Sequence, residues 1–260
     1  MLRGMWSAAS GMAAQQTQID VIANNLANVN TTSFKKSRAE FQDLMYQTLN
    51  QAGSRTEDGN EIPTGIQLGM GTMPSGIQKM FMQGDFQETK NELDMVIEGK
   101  GFFKVLSNGK EQYTRAGNFK LDTGGNIVTS NGDPLQPEMS VPSDTISINI
   151  DKYGTVTAFD PTGAGTSLGQ LELSTFPNPA GLSSLGHNLY STSDASGEAI
   201  EASPGSDGMG TILQGFVEKS NVDIVQEMVS MITAQRAYEI NSKAIQTADS
   251  MLQTANNLKR

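Results

Sequence analysis

Carboxylates are the most plentiful reactive groups in this chain, 28 Asp and Glu against 18 Lys and Arg, for a net charge of −10. Two close pairs stand out, Glu88 with Glu92 and Asp94 with Glu98. Glycoside hydrolysis uses such a pair, one carboxyl as acid and the other as nucleophile or base. A chain with so many acidic residues also produces close pairs by chance. The absence of Cys removes thiol nucleophiles, disulfides and thiolate metal sites. The single His, His187, cannot form a cluster of imidazoles, and its loop-like surroundings suit a surface or locally bonded side chain. Neither Gly65 to Gly71 nor Gly99-Lys100-Gly101 is followed by the Lys-Ser/Thr pair that opens a helix in a phosphate loop. The chain is therefore expected to be no enzyme, with no catalytic, cofactor-binding or metal-binding residues and no cofactor.

Residues 12–52 and 216–260 lack Gly and Pro, whereas 25 of the 27 Gly and all nine Pro lie between Gly53 and Gly215. Gly and Pro break helices and punctuate turns, so both flanks can carry long helices. Met5, Met12, Ile19 and Leu26 recur every seven residues, with Ala8, Ala9, Ile22 and Ala23 between them. Ile224, Met231, Tyr238, Ile245 and Leu252 do the same near the other end, with Ala234, Asn241, Ala248 and Ala255 as a second series. Sevenfold spacing with an intermediate small or apolar position is coiled-coil patterning. The plainer alternative is a pair of amphipathic helices capping a globular core. Sticky helices at both ends suit a protein that joins copies of itself, with Met side chains as adaptable packing at the seam. Ordering two such flanks costs enough backbone entropy that they are expected to need neighbours.

The middle is acidic, with 20 acidic and 9 basic side chains in 53–215, while the flanks hold 8 and 9. That balance disfavours nucleic acid, whose binders need a basic face. No run of 18 apolar residues suggests a membrane span. Ser7, Ser10, Gly4 and Gly11 interrupt any leader-like apolar core at the start, and the heptad runs through it, so the segment reads as retained helix. Lys35, Lys36 and Arg38 form a small basic cluster, read as a solvated face that is also able to meet a neighbour's acidic middle.

Phe103 and Val105, then Asn108-Gly109 and Tyr113, give a hairpin signal. Ile146, Ile148 and Ile150 alternate with polar residues, which predicts one buried strand face. Thr155 to Phe159 and a strand beginning at Leu171 and Leu173 follow. A compact antiparallel β domain is expected from about Lys90 to Pro204, with Gly205 to Gly215 as a return connection and Gly53 to Pro74 irregular. The fold class is thus α+β: long N- and C-terminal helices pairing as a coiled coil, and a central antiparallel β domain. The segments are 1–52, helix and extended stretch; 53–74, polar insert; 75–215, central β domain with connections; and 216–260, C-terminal helix.

Ala23-Asn24-Asn25-Leu26-Ala27-Asn28-Val29-Asn30, followed by Thr31-Thr32-Ser33-Phe34-Lys35, resembles the signature of bacterial flagellar rod and hook proteins. Gln235-Arg236-Ala237-Tyr238-Glu239-Ile240-Asn241-Ser242-Lys243 resembles the matching distal motif. Gly99-Lys100-Gly101-Phe102-Phe103 and Tyr113-Thr114-Arg115-Ala116-Gly117 resemble the family's β domain. Ser33 departs from the pattern, which usually has Gly before the Phe. Within this basal-body rod/hook family, the length and the Gly53 to Gly65 segment are most similar to distal rod members.

The resemblance implies a structural subunit that polymerises helically into a rigid tubular drive shaft and transmits torque from motor to hook. It implies self-assembly through Met5, Met12, Ile19, Ile22, Leu26, Ile224, Met231, Tyr238, Ile245 and Leu252. Family-motif residues would be Asn24, Asn25, Leu26, Ala27, Asn28, Phe34 and Lys35. Arg55, Glu57, Asp58, Glu61 and Pro63 would stiffen the rod. Implied partners are further copies, proximal rod proteins, the hook protein, periplasmic and outer-membrane ring proteins, and the flagellar export apparatus, with no nucleic acid and no membrane insertion. The implied location is the periplasm-spanning rod of the basal body, reached by export without a cleaved signal peptide. Alternatives are a proximal rod or hook subunit and, from another class, a secreted carbohydrate-active enzyme using Glu88 or Glu92.

Overall fold

The computed structural model describes residues 2–53, 63–206 and 208–257, the side chain of Leu2 excepted. The chain divides into two units, one of residues 1–27, 37–78 and 223–260, the other of residues 28–36 and 79–222. These units interleave segments that composition alone separates.

The first unit holds α1 (Leu2–Ala27), β1 (Ser37–Asp43), β2 (Tyr46–Asn50), β3 (Ile66–Gly69), β4 (Thr72–Lys79) and α2 (Ile224–Asn257). α1 ends well short of the Gly/Pro-free limit at residue 52. Beyond Ala27 come Val29, Thr31 and Thr32, whose branched Cβ atoms disfavour helix. The C-terminal flank likewise opens as strand and loop before α2 begins. Asp223 starts that helix: its Oδ1 accepts hydrogen bonds from the Val225 and Gln226 amides at 2.9 and 3.2 Å. β2 pairs with β3 antiparallel, and β1 pairs with β4. The Gly53 to Pro74 stretch, expected to be irregular, therefore contains β3 and the start of β4. Ile66, Leu68 and Met70 alternate with Gln67 and Gly69, a period-two pattern hidden by the glycines around it.

The second unit is almost wholly β. Its strands are β5 (Phe86–Glu88), β6 (Met95–Glu98), β7 (Phe102–Ser107), β8 (Lys110–Thr114), β9 (Lys120–Leu121), β10 (Ile127–Val128), β11 (Leu135–Gln136) and β12 (Ser147–Ile150). There follow β13 (Thr155–Phe159), β14 (Gly165–Gln170), β15 (Leu173–Thr175), β16 (Ser183–Gly186), β17 (Leu189–Ser191), β18 (Ile200–Ala202), β19 (Thr211–Gln214) and β20 (Phe216–Glu218). Among the described residues the largest sheet runs β16-β17-β8-β7-β15-β18, with β11 also on β7. The β7–β8 turn is Asn108-Gly109, both at positive φ of 53° and 73°, the conformation a tight primed hairpin turn requires.

β7 separates two apolar clusters because its neighbours point to opposite faces. Phe103 and Val105 enter the main core with Met95, Ile97, Leu173 and Ile212. Phe102 joins Tyr113, Phe176 and Tyr190 on the other face, where the rings meet edge to face at 4.8 to 6.0 Å. Ile148 and Ile150 are buried as the alternation predicts, but Ile146 is exposed because β12 begins one residue later. The return connection is partly strand, since β19 pairs with β6, and the segment expected to be C-terminal helix opens with β20, which pairs with β5.

Candidate assembly surfaces and a buried ion cluster

In the first unit α1 and α2 run antiparallel, since Gly11 lies against Asn241 while Asn25 bonds Glu227. A Cβ on Gly11 would stand 3.0 Å from Asn241 Nδ2, so a larger residue there must displace the amide. Of the heptad residues, Ile22 is buried, and Met5, Met12, Ile19, Leu26, Met231, Ile245 and Leu252 are half-buried. Ile224 and Tyr238 remain 47% and 39% exposed.

Asn25 anchors the start of the extended stretch. Its side chain accepts from the Ser37 amide at 2.9 Å and donates to the Ser37 carbonyl at 2.8 Å. It also donates to Glu227 at 3.3 Å, so one buried amide joins α1, β1 and α2. Asn24 and Ala27 are exposed, and Leu26 is half-buried beside them. Asn28 accepts from the Thr31 hydroxyl at 3.1 Å within the turn that follows. Pro63 is exposed just before β3, whereas Arg55, Glu57, Asp58 and Glu61 lie outside the described residues.

The second unit contains an ion cluster that sequence reading missed. Lys35 is 0% exposed and Glu218 1%, so Lys35 is no part of a solvated basic face. Lys35 Nζ bonds Glu218 Oε1 at 2.6 Å and the Met82 carbonyl at 2.7 Å. Arg115 Nε bonds Glu218 Oε2 at 3.1 Å, and the Gly84 amide donates to Oε1 at 2.9 Å. The Arg115 guanidinium also donates to the carbonyls of Gly101, Gly99 and Ile97 at 2.6, 2.7 and 3.3 Å. Gly99 and Gly101 turn those carbonyls inward at φ of 111° and 141°, where a side chain is strained. Burial pushes the Lys35 ammonium below its ordinary pKa, and Arg115 adds to this, against the raising effect of Glu218. Two cations thus share one carboxylate in the interior, and the carbonyl ring disperses the excess charge.

Ser33 closes the same cluster. Its hydroxyl donates to the Arg115 carbonyl at 2.9 Å, and its amide donates to the Glu218 carbonyl at 2.8 Å. Its φ is 56°, in the left-handed region that Gly adopts without strain, which gives the departure at this position a conformational meaning. Asn221 adds a further tie: it accepts from the Lys36 amide at 2.8 Å and donates to the Met80 and Met82 carbonyls at 2.9 and 3.1 Å. Phe34 is buried with Lys79 over its ring at 5.7 Å. The signal for Arg115 and Glu218 was faint, a lone cation and a lone carboxylate in otherwise apolar or Gly-rich runs. The sequence does not pair them across 103 positions.

The carboxylate pairs occupy structural positions. Glu92 accepts from the Ile148 amide at 2.8 Å, Asp94 from the Asn91 side chain at 3.1 Å, and Glu98 from the Thr211 hydroxyl at 3.4 Å. Glu88 lies exposed in β5. His187 is exposed in the β16–β17 turn at φ 53°.

Helical ends in one unit, and a β unit whose closing ion cluster draws on both end segments of the chain, define a structural subunit. Three family profiles match: flagella basal body rod protein over residues 5–35, flagellar hook protein FlgE/F/G D1 domain over 96–158, and flagellar basal body rod FlgEFG protein C-terminal over 213–258. The chain is 52% identical over 264 residues to the flagellar basal-body rod protein FlgG of Borreliella burgdorferi, covering all of both chains. It is 46% identical to the FlgG of Caulobacter vibrioides, covering 99% of this chain and 100% of that one. With the FlgG of Bacillus subtilis the identity is 41%, covering all of both. The chain belongs to the flagellar basal-body rod protein family, among relatives that carry the FlgG name, and it is a structural protein, not an enzyme.

Proposed function

We propose that this chain is a subunit of the distal rod, polymerising helically into the straight tube that carries torque from the motor to the hook. The observation that carries this reading is full-length similarity to FlgG proteins with helices at both chain ends. In the assembly, α1 and α2 act as coiled-coil elements. Support comes from α2, where Met231, Ala234, Asn241, Ile245, Ala248 and Leu252 are among the less exposed side chains and follow spacings of three, four or seven. Met5, Met12, Ile19, Ile22, Leu26, Ile224, Met231, Tyr238, Ile245 and Leu252 supply the self-assembly contacts. Neighbours are proximal rod and hook proteins, with ring proteins around the shaft in the periplasm and outer membrane. The flagellar export apparatus carries the subunit to the growing rod in this reading.

The segment Arg55 to Pro63 braces adjacent subunits in this reading, because polar contacts repeated around a tube resist the axial compression that bending needs. Each contact is worth at most about 1 kcal/mol, and the repetition supplies the stiffness. Deleting Arg55 to Pro63 should leave secretion and polymerisation intact and give curved rods in electron micrographs of isolated basal bodies. Straight rods from that deletion remove the bracing role. Gold-labelled antibody against the full-length chain should mark the distal rod of wild-type basal bodies; label on the hook alone overturns the assignment.

A further inference from the structure

One surface of α2 stands outside its contact with α1 and shares only Ile224 with the heptad series. Ile224, Val225, Met228, Val229 and Ile232 follow the spacing of neighbours on one helical stripe. All five are exposed, Val225 the most at 72%. The uncovered parts of five such side chains come to roughly 500 Å², the scale of the largest apolar patch on a monomer and a mark of an interaction site. No charged side chain interrupts the stripe; Glu227 between its members is buried against Asn25.

The occupant follows from symmetry and size. A stripe that pairs with its own copy gives a two-fold contact and closes a dimer, whereas an open tube needs unlike patches of one chain to meet. The outer face of α1 is such a patch. Trp6, Ala9, Ala13, Gln16, Asp20, Ala23 and Ala27 are exposed there at spacings that keep one face, and four of the seven are Ala. Small residues opposite large ones let two helix axes approach to about 8 Å, the short end of helix packing distances. We propose that the Ile224 to Ile232 stripe of one copy packs lengthwise on the outer α1 face of a second copy. This deepens the rod reading, rests on it, and places one inter-subunit contact on a face that shares only Ile224 with the sevenfold series.

The chain has no Cys, so introduced thiols report alone. Met228→Cys protein is mixed with Ala9→Cys, Ala13→Cys or Ala23→Cys protein, each full length, then polymerised and oxidised. At least one mixture should give disulfide-linked dimers that are absent when each variant is polymerised alone. Val229→Asp should raise the concentration needed for polymerisation by more than about tenfold, since an unpaired charge in a dry contact is costly. Its monomer should keep wild-type helicity by circular dichroism, because the site is exposed. Wild-type tubes without any of these cross-links, Met228→Cys protein that links only to itself, or Val229→Asp tubes at the wild-type concentration would overturn the stripe contact. Wild-type protein that forms no tubes overturns the rod reading and the stripe with it.

Discussion

Glu218 is the residue on which the β unit's two buried cations depend. Glu218→Gln leaves both Lys35 and Arg115 without a counter-charge and should destabilise by about 3–5 kcal/mol, the cost of breaking a buried pair from one side. Lys35→Met should cost less, because it leaves Arg115 paired with Glu218 and removes the surplus cation. Urea unfolding midpoints of the two variants give the order, and a Lys35→Met protein weaker than Glu218→Gln contradicts this charge balance. Ser33 tests the backbone in the same place. Ser33→Ala keeps the left-handed φ and loses the bond to the Arg115 carbonyl, and should cost about 1–2 kcal/mol. Ser33→Gly loses the same bond but relieves the strain, so it should fall within about 1 kcal/mol of wild type. A glycine variant less stable than the alanine one would refute the strain account.

Tyr190, packed with Phe102 and Phe81, has its pKa pushed up from 10 to about 12, by burial first and then by the Glu218 charge. A raised folded-state pKa gives a contribution fully present below pH 10 and lost as pH rises from 10 to about 12, because the unfolded chain releases this proton first. A shift of that size is worth about 3 kcal/mol. Tyr190→Phe should flatten that part of the alkaline denaturation curve. Equal losses in wild type and variant between pH 10 and 12 would contradict it.

At the scale of elements, the helices were legible because apolar residues recur every seven positions in both flanks and Gly and Pro mark where a helix cannot continue. Their limits were less legible. α1 stops at a run of branched and polar residues that breaks no composition rule, and α2 waits for the Asp223 cap. The hairpin at Asn108-Gly109 was readable because its turn chemistry is local. β3 and β19 were missed because each is short and Gly-flanked, and β19 is also held by a strand distant in sequence. The half-buried Ile19 and Ile245 bear on the helix seam. Ile19→Asp or Ile245→Asp places a charge in a contact meant to be dry, at a cost of several kcal/mol if unpaired. Either variant should fail to polymerise while the β unit keeps its wild-type amide hydrogen-exchange protection. Normal rods and motility in both variants would remove these positions from the assembly surface.

For the whole molecule, the sequence carried the family because its motifs sit where distant segments meet. The Thr31 to Lys35, Gly99 to Phe103 and Tyr113 to Gly117 runs all reach the ion cluster around Glu218. What the sequence did not carry was that meeting itself, since pairing across such separations leaves no local period. It also read Lys35 as solvated, because a cation's burial depends on a carboxylate that arrives only with the C-terminal segment. Electron microscopy of the purified full-length protein shows whether the proposed subunit polymerises into a straight shaft without other proteins. The predicted result is straight tubes of uniform diameter that form above a threshold concentration. Protein that stays monomeric at high concentration, or that forms only curved or sheet-like aggregates, would contradict it.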